Sequence, residues 1–216
     1  DIDMLIGGSP CGGFSAAGNH SKSRAFEHSQ SKLLYEYERI RNEVRPRHLL
    51  LENVSMCASN IDLITEMMAA TPGTRMYKIN ANRYVCQHRV RCYWSNIRYD
   101  PTKPVQTDHP LTLKELIGPG YEGVLMRMHG MYGDAGDRFI PDRKVAQTIT
   151  RNRYKFNSAY MHHGVKTHYS TEQMEALQAL PAGYTEPAGS DTQRSYAIGN
   201  GWCVAVIEDI FRGLIP

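Results

Sequence analysis

HLLLENV, residues 48–54, is the stretch whose reading decides the fold. Leu49, Leu50 and Leu51 follow one another with no polar residue between them. A strand with one wet face alternates apolar and polar side chains. An unbroken apolar run instead suits a strand covered on both faces, as in parallel sheets flanked by helices. The neighbouring segments agree. SKLLYEYERIRNEV, residues 31–44, sets Leu33, Leu34, Tyr37, Ile40, Arg41 and Val44 at helical spacing, and Pro46 stops the helix. Before it, Ile2 to Ile6 read as a short apolar strand leading into Gly7-Gly8-Ser9-Pro10, and the polar stretch from Gly12 to Gln30 reads as a long loop. After it, NIDLITEMMAA forms a helix capped by Ser59 or Asn60 and stopped at Pro72-Gly73. MYKINA (76–81) and RCYWSNI (91–97) are two more strands. Residues 1–98 therefore follow the rhythm of a doubly wound α/β sheet.

Residues 99–146 break that rhythm. Prolines at 101, 104 and 110 precede a glycine- and methionine-rich stretch, which predicts a small irregular lobe inserted into the core. Residues 147–216 return to the core. STEQMEALQALPAGY carries a capping box, Ser170 with Gln173, and a final helix at about 202–214 places Val204, Ile207, Ile210, Phe211 and Leu214 on one face.

A chain of 216 residues, 41% hydrophobic and 22% charged, is long enough and apolar enough for a packed α/β core. It has no apolar run of membrane-spanning length and no signal-peptide pattern. A net charge of +3 permits a polyanionic partner without requiring one. The cysteines at 11, 57, 86, 92 and 203 form no C-x-x-C pair, which argues against a disulfide framework and for a reducing compartment. His162, His163 and His168 have no nearby carboxylate or cysteine to complete a metal site.

Three features carry chemistry. Cys11 stands in IGGSPCGGFS (6–15), where a strand ends and glycines let backbone approach a ligand. Glu52 follows the apolar run, at the same end of the same sheet. Arg89 and Arg91 alternate in QHRVRCYWSN, so an extended segment would place both on one face, suited to phosphates and base carbonyls. Each alone has a plain structural reading: a buried thiol, a strand end, a solvated edge.

Together and in order, these residues resemble the cytosine carbon-5 DNA methyltransferases. Pro10-Cys11, Glu52-Asn53-Val54 and Gln87-His88-Arg89-Val90-Arg91 match three of the family's motifs. TITRNRY (148–154), IGNGWCVAVI (198–207) and Leu177-Gln178-x-x-Pro181 match later ones. Gly-Gly-Ser-Pro-Cys and the final-motif Trp202 resemble the de novo-type branch, whereas Gly12-Gly13-Phe14-Ser15 is nearer bacterial and phage enzymes.

The resemblance implies a Rossmann-like fold and methyl transfer from S-adenosylmethionine to carbon 5 of a flipped cytosine in double-stranded DNA. It implies Cys11 as nucleophile, Glu52 at ring nitrogen 3, and Arg91 with Arg89 at the carbon-2 carbonyl. Pro10, Asn200, Gly201 and Trp202 would lie at the cofactor. Ser15, Lys22, Arg24, Arg127, Arg138, Arg151 and Arg153 would meet DNA. The setting implied is the cytoplasm or nucleoid of a bacterium or phage-infected cell, or a nucleus if eukaryotic, in restriction–modification or phage biology. RNA cytosine methylation, or a non-catalytic DNA-binding module, are the competing functions.

The family's first motif, a Phe-x-Gly-x-Gly strand–loop that cradles the cofactor, is not among these residues. The expectation is that it lies in a preceding segment or on a complementary cofactor-binding chain, and that a partner covers the exposed edge of the first strand.

Overall fold

The computed structural model describes residues 2–10, 32–127, 137–151 and 159–215. The chain divides into two compact units. One is built from Asp1–Ile79, Val90–Thr102 and Ile210–Pro216, the other from Asn80–Arg89 and Lys103–Asp209.

The first unit is a sheet with two helices. Its strands are β1 (Met4–Gly8), β2 (His48–Val54), β3 (Arg75–Asn80) and β4 (Val90–Ser95), in the order β1-β2-β4-β3. β1 and β2 are parallel, with Met4 opposite His48 and Gly8 opposite Glu52. β4 runs antiparallel to β2. The helices are α1 (Leu33–Val44) and α2 (Ala58–Met68). Leu34 and Tyr37 of α1, Ile64 and Met68 of α2, Leu49 and Leu51 of β2, and Cys92 and Trp94 of β4 form one buried cluster. Both helices therefore cover the same face of the sheet. The residues between, Leu50 and Glu52, point to the other face by strand alternation. Leu50 is as fully buried as its neighbours, so β2 is a two-sided strand, as its apolar run predicts.

Helix ends follow local chemistry. Arg45 adopts left-handed backbone (φ 46°), its N–H bonds the Arg41 carbonyl, and Pro46 ends α1. The Arg41 guanidinium is buried and donates to the Met67 carbonyl at 2.8 Å, tying α1 to α2. α2 starts two residues earlier than a Ser59 cap would set it, and three earlier than an Asn60 cap. The extended Cys57 is its N-cap, and its carbonyl takes the Asn60 and Ile61 N–H groups without a side-chain cap.

The second unit holds α3 (Leu113–Ile117), β5 (Tyr121–Arg127), β6 (Asp137–Pro141), β7 (Ala159–His162), β8 (Val165–His168), α4 (Thr171–Ala176), α5 (Asp191–Asn200) and most of α6 (Val204–Phe211). Its strands form an antiparallel sheet, β6-β5-β7-β8. This corrects the expected irregular lobe at 99–146. The lobe is a sheet, and it crosses residue 146, because β5 pairs with both β6 and β7. Gly123 sits at a bulge in β5 with φ 154°, where a Cβ would lie 2.3 Å from the Ile140 carbonyl oxygen. α5 was not foreseen. Its capping box, Ser190 with Gln193, matches those of α3 (Thr112 with Glu115) and α4 (Ser170 with Gln173).

Glu175, on α4, is fully buried. It accepts the Gly183 and Thr185 N–H groups at 2.7 Å each and the Arg194 guanidinium at 3.3 Å, and Arg194 also reaches Glu172 at 3.0 Å. Desolvation opposes the charge on Glu175, but these donors outweigh it and hold its carboxyl below the usual range. Hydrogen bonds from backbone and from Thr171 lower Glu172 to about 2. Carboxyls depressed by folding stabilise the folded state above their unfolded pKa, about 4.3, and lose that contribution as pH falls through their folded values. The urea midpoint is therefore expected to fall between about pH 4.5 and pH 2. Glu175→Gln, which carries no titrating charge there, should flatten that acid limb; a limb as steep as the parent's would show that this network does not set it.

Candidate active site

Register brings the candidate residues together in the first unit. Glu52 sits opposite Tyr93, and Arg91 lies two residues along β4 from Tyr93, so Glu52 and Arg91 are diagonal neighbours on one face. Arg91 Nε lies 3.1 Å from Glu52 Oε1, with side chains only 14% and 11% exposed. At that burial the pair is shielded from solvent and fixed in orientation, unlike a surface ion pair. Arg91 Nη1 also donates to the Val90 carbonyl at 2.9 Å, which sets the plane of the guanidinium.

Asn53 is almost fully buried and turns its amide to the other strand. Its Nδ2 donates to Ser9 Oγ at 2.7 Å, while its Oδ1 accepts the Val54 N–H. The exit of β1 is thereby clamped to the end of β2, one residue beyond the pair of Gly8 and Glu52. Pro10 follows Ser9 and is exposed. Cys11, Ser15, Lys22, Arg24 and Arg153 lie outside the described residues.

Three other cysteines have environments that disfavour a thiolate. Burial pushes Cys86 up to about 12 and Cys203 up to about 11, and raises Cys92 as well. Cys57 is half-buried, with Sγ 3.3 Å from Ser59 Oγ.

In the second unit, Arg89 does not share an exposed strand face with Arg91, because β4 begins only at Val90. Arg89 is 4% exposed and donates to the Ile149, Gly199 and Gly201 carbonyls at 3.2, 3.3 and 2.8 Å. Gln178 Nε2 donates to the Ile198 and Gly201 carbonyls at 3.0 and 3.3 Å. Gln87 joins the same network, giving Nε2–H to the Leu177 carbonyl and accepting the Ile149 N–H at 3.0 Å. Residues 198–201 are thus gripped by two buried side chains. Asn200 is exposed and the Trp202 ring half-buried. Gly199 packs so closely on residues 150–151 that a Cβ would lie 2.2 Å from the Arg151 amide nitrogen. The Arg151 side chain is exposed and lies against Tyr196, with Nη1 3.4 Å from the hydroxyl and the guanidinium carbon 5.5 Å from the ring centroid. Arg138 is exposed on β6, opposite Met126, and the Arg127 backbone pairs with Asp137.

Sequence reasoning quoted Gln87, Asn53, Ser9 and Gln178 inside motifs but gave them no role. Tyr196 had no signal of its own.

The family model of C-5 cytosine-specific DNA methylases matches residues 1–115, about half the chain and the part that holds Glu52 and Arg91. This chain belongs to that family. A Type II methyltransferase of Paramecium bursaria Chlorella virus IL3A is 40% identical over 70 residues, 32% of this chain and 18% of the relative. A Type II methyltransferase of Shigella sonnei is 25% identical over 247 residues, covering 100% of this chain and 64% of the relative. The chain thus spans less than two thirds of these curated relatives. Among solved structures, the Entamoeba histolytica methyltransferase EhMeth superposes with a TM-score of 0.66 at 12% identity, over 99% of this chain and 78% of that one. The S. pombe Dnmt2 methyltransferase gives 0.58 at 13% identity, over 99% and 77%. At these identities the likeness is one of fold: α/β, of the methyltransferase type.

Replacing Arg89 with Met would take the Arg89 donor from the Ile149 and Gly199 carbonyls and leave the Gly201 carbonyl to Gln178. Each buried polar group left unpaired costs about 1–3 kcal/mol, so Arg89→Met is expected to lose at least about 2 kcal/mol in urea unfolding and to shift the Trp202 fluorescence. Unchanged stability would show that residues 199–201 are held by other means.

Proposed function

We propose that this chain supplies the base-activating part of a DNA (cytosine-5-)-methyltransferase. The observation that carries the reading is the shielded Glu52–Arg91 pair, in register with the strand that leads through Ser9 and Pro10 to Cys11. Cytosine is a poor nucleophile at carbon 5. Addition of the Cys11 thiolate at carbon 6 makes carbon 5 enamine-like and able to attack a methyl electrophile. Glu52 hydrogen-bonds or protonates ring nitrogen 3, where charge develops, and Arg91 fixes the Glu52 carboxyl while reaching the carbon-2 carbonyl. Arg89 acts through position, by holding residues 199–201. The base must leave the duplex to reach such a site. Arg138 and Arg151, both exposed, are the described arginines offered to DNA, with Ser15, Lys22, Arg24, Arg127 and Arg153 as further candidates.

S-adenosylmethionine, when bound, supplies the electrophilic methyl group. The exposed Asn200 amide, the pinned Gly201 and the half-buried Trp202 ring fit one side of such a group, an adenosine joined to an amino acid; Pro10 is the other residue assigned to it. The remainder of the cradle is assigned to a cofactor-binding segment or chain, or to a second copy. The outer edge of β1, unpaired among the described residues, suits that assignment. β1 is the outermost strand of its sheet, and Ile2 and Ile6 are 49% and 48% exposed. No described helix is long and apolar enough to cross a membrane. The reading places the protein with DNA, in the cytoplasm or nucleoid of a bacterium or phage-infected cell.

The test is trapping on duplex DNA carrying 5-fluorocytosine, with S-adenosylmethionine, with and without a cofactor-binding partner. A denaturant-stable adduct is expected, and Cys11→Ser should abolish it. Glu52→Gln should slow its formation by about 10²–10⁴-fold. If no adduct forms even with a competent partner, a DNA-binding module without turnover becomes the better reading.

A further inference from the structure

A second recess lies in the first unit, at the far end of β4 from Arg91. Asn96 lies five positions on from Arg91, about 17 Å along an extended strand, so this recess is not part of the Glu52–Arg91 site. It has a volume of about 430 Å³ and forms where the start of β3 meets the end of β4. Arg75 and Tyr77 stand two apart on β3 and face one side of the strand. Arg98, Tyr99 and Asp100 come from the segment after β4.

The lining is organised by its polar contacts. Asn96 is committed to the scaffold: its Oδ1 accepts the Leu49 N–H and its Nδ2 donates to the Arg47 carbonyl, both at 2.9 Å. That contact sets the backbone of Arg47, an exposed residue, against a residue of the lining. On the other side, Gly213 packs directly against the Arg98 carbonyl, which brings the exposed Arg212 to the same end of the unit. Asp100, the acid of the recess, turns back on its own loop, its Oδ1 taking the Thr102 N–H at 2.9 Å and hydroxyl at 2.6 Å. Arg75 and Arg98 are exposed, and neither guanidinium has a hydrogen-bond or ion-pair partner among the described residues. The two tyrosine rings, half-buried, meet edge to face with centroids 5.1 Å apart at 88°. One ring therefore keeps its π-face clear of the other.

A recess with a flat aromatic wall and two uncommitted guanidinium forks has a definite complement. Guanidinium forks match phosphate oxygens in pairs, and an aromatic wall takes a flat heterocycle by stacking. The volume is at the lower end of ligand pockets and suits one nucleotide. We propose that this recess binds a single nucleotide unit, with its phosphate between Arg75 and Arg98 and its base against the Tyr77–Tyr99 pair. The site is separate from the catalytic reading and stands or falls without it. The unit could come from a free nucleotide or from the phosphorylated end of a nucleic-acid strand; the chemistry recognised is the same.

Thymidine 5′-monophosphate is the suitable probe, because it has neither the cytosine ring of the proposed substrate nor the adenosine of the proposed methyl donor. In equilibrium dialysis with the full chain it is expected to bind at about millimolar or tighter, with thymidine and inorganic phosphate each at least about tenfold weaker. Arg75→Gln combined with Arg98→Gln should remove binding without moving the thermal midpoint, since both side chains are exposed. Tyr77→Leu should weaken the nucleotide but not inorganic phosphate, and Arg91→Lys should leave binding unchanged. A short 5′-phosphorylated single strand separates the sources: tighter binding than the nucleotide, lost in the double variant, assigns the site to a strand end, whereas equal binding assigns it to a free nucleotide. Nucleotide binding no tighter than that of phosphate, or binding that survives the double variant, would overturn the proposal.

Discussion

Strand register is the constraint on which the chemistry of this molecule depends. Gly8 sits opposite Glu52 across a parallel ladder, and Glu52 sits opposite Tyr93 across an antiparallel one. Because side chains alternate along a strand, a slip of one residue in β2 would turn Glu52 toward Trp94 beneath the two helices and turn Leu49 and Leu51 away from it. Such a slip would bury an unpaired carboxylate in an apolar core. The apolar run that decides the fold therefore also decides where the acid points.

The second unit solves a different problem. A turn that must present Asn200 and Trp202 has carbonyl groups that need partners. Arg89 and Gln178 supply donors for the carbonyls of Ile198, Gly199 and Gly201. A guanidinium has five N–H groups in a rigid fork, so one side chain can hold several carbonyls at once. Lysine would not reproduce this geometry, which explains why the residue is arginine.

Much of this was legible in the sequence, for reasons that differ from place to place. α1, β2, β4 and α4 declare themselves because periodicity, Pro46 and the Ser170–Gln173 box act locally. Glu52 and Arg91 stood out singly as candidates, but their ion pair was not legible, because the sequence does not give the register of β2 on β4. Arg89 was read as an exposed partner of Arg91. The two-residue spacing fixes a shared face only inside a strand, and the strand begins after Arg89. α5 was missed because Arg194, Ser195 and Gly199 are buried in it and blur the amphipathic stripe, although its capping box was there to be read. The sheet β5–β8 was missed because glycines and methionines mask its alternation, and because β7, which completes it, lies beyond the glycine-rich stretch.

The buried thiols give the protein a built-in counter of its own opening. Cys92 belongs to the first unit, and Cys86 and Cys203 to the second. Each is sealed from solvent and held protonated well above neutral pH, so a thiol reagent can modify it only when the structure around it opens. The labelling rate at each position then reads the free energy of that opening, much as amide exchange does for the backbone. Two units that breathe independently would expose Cys92 on one timescale and the other two on another. Two units that open as one would expose all three together.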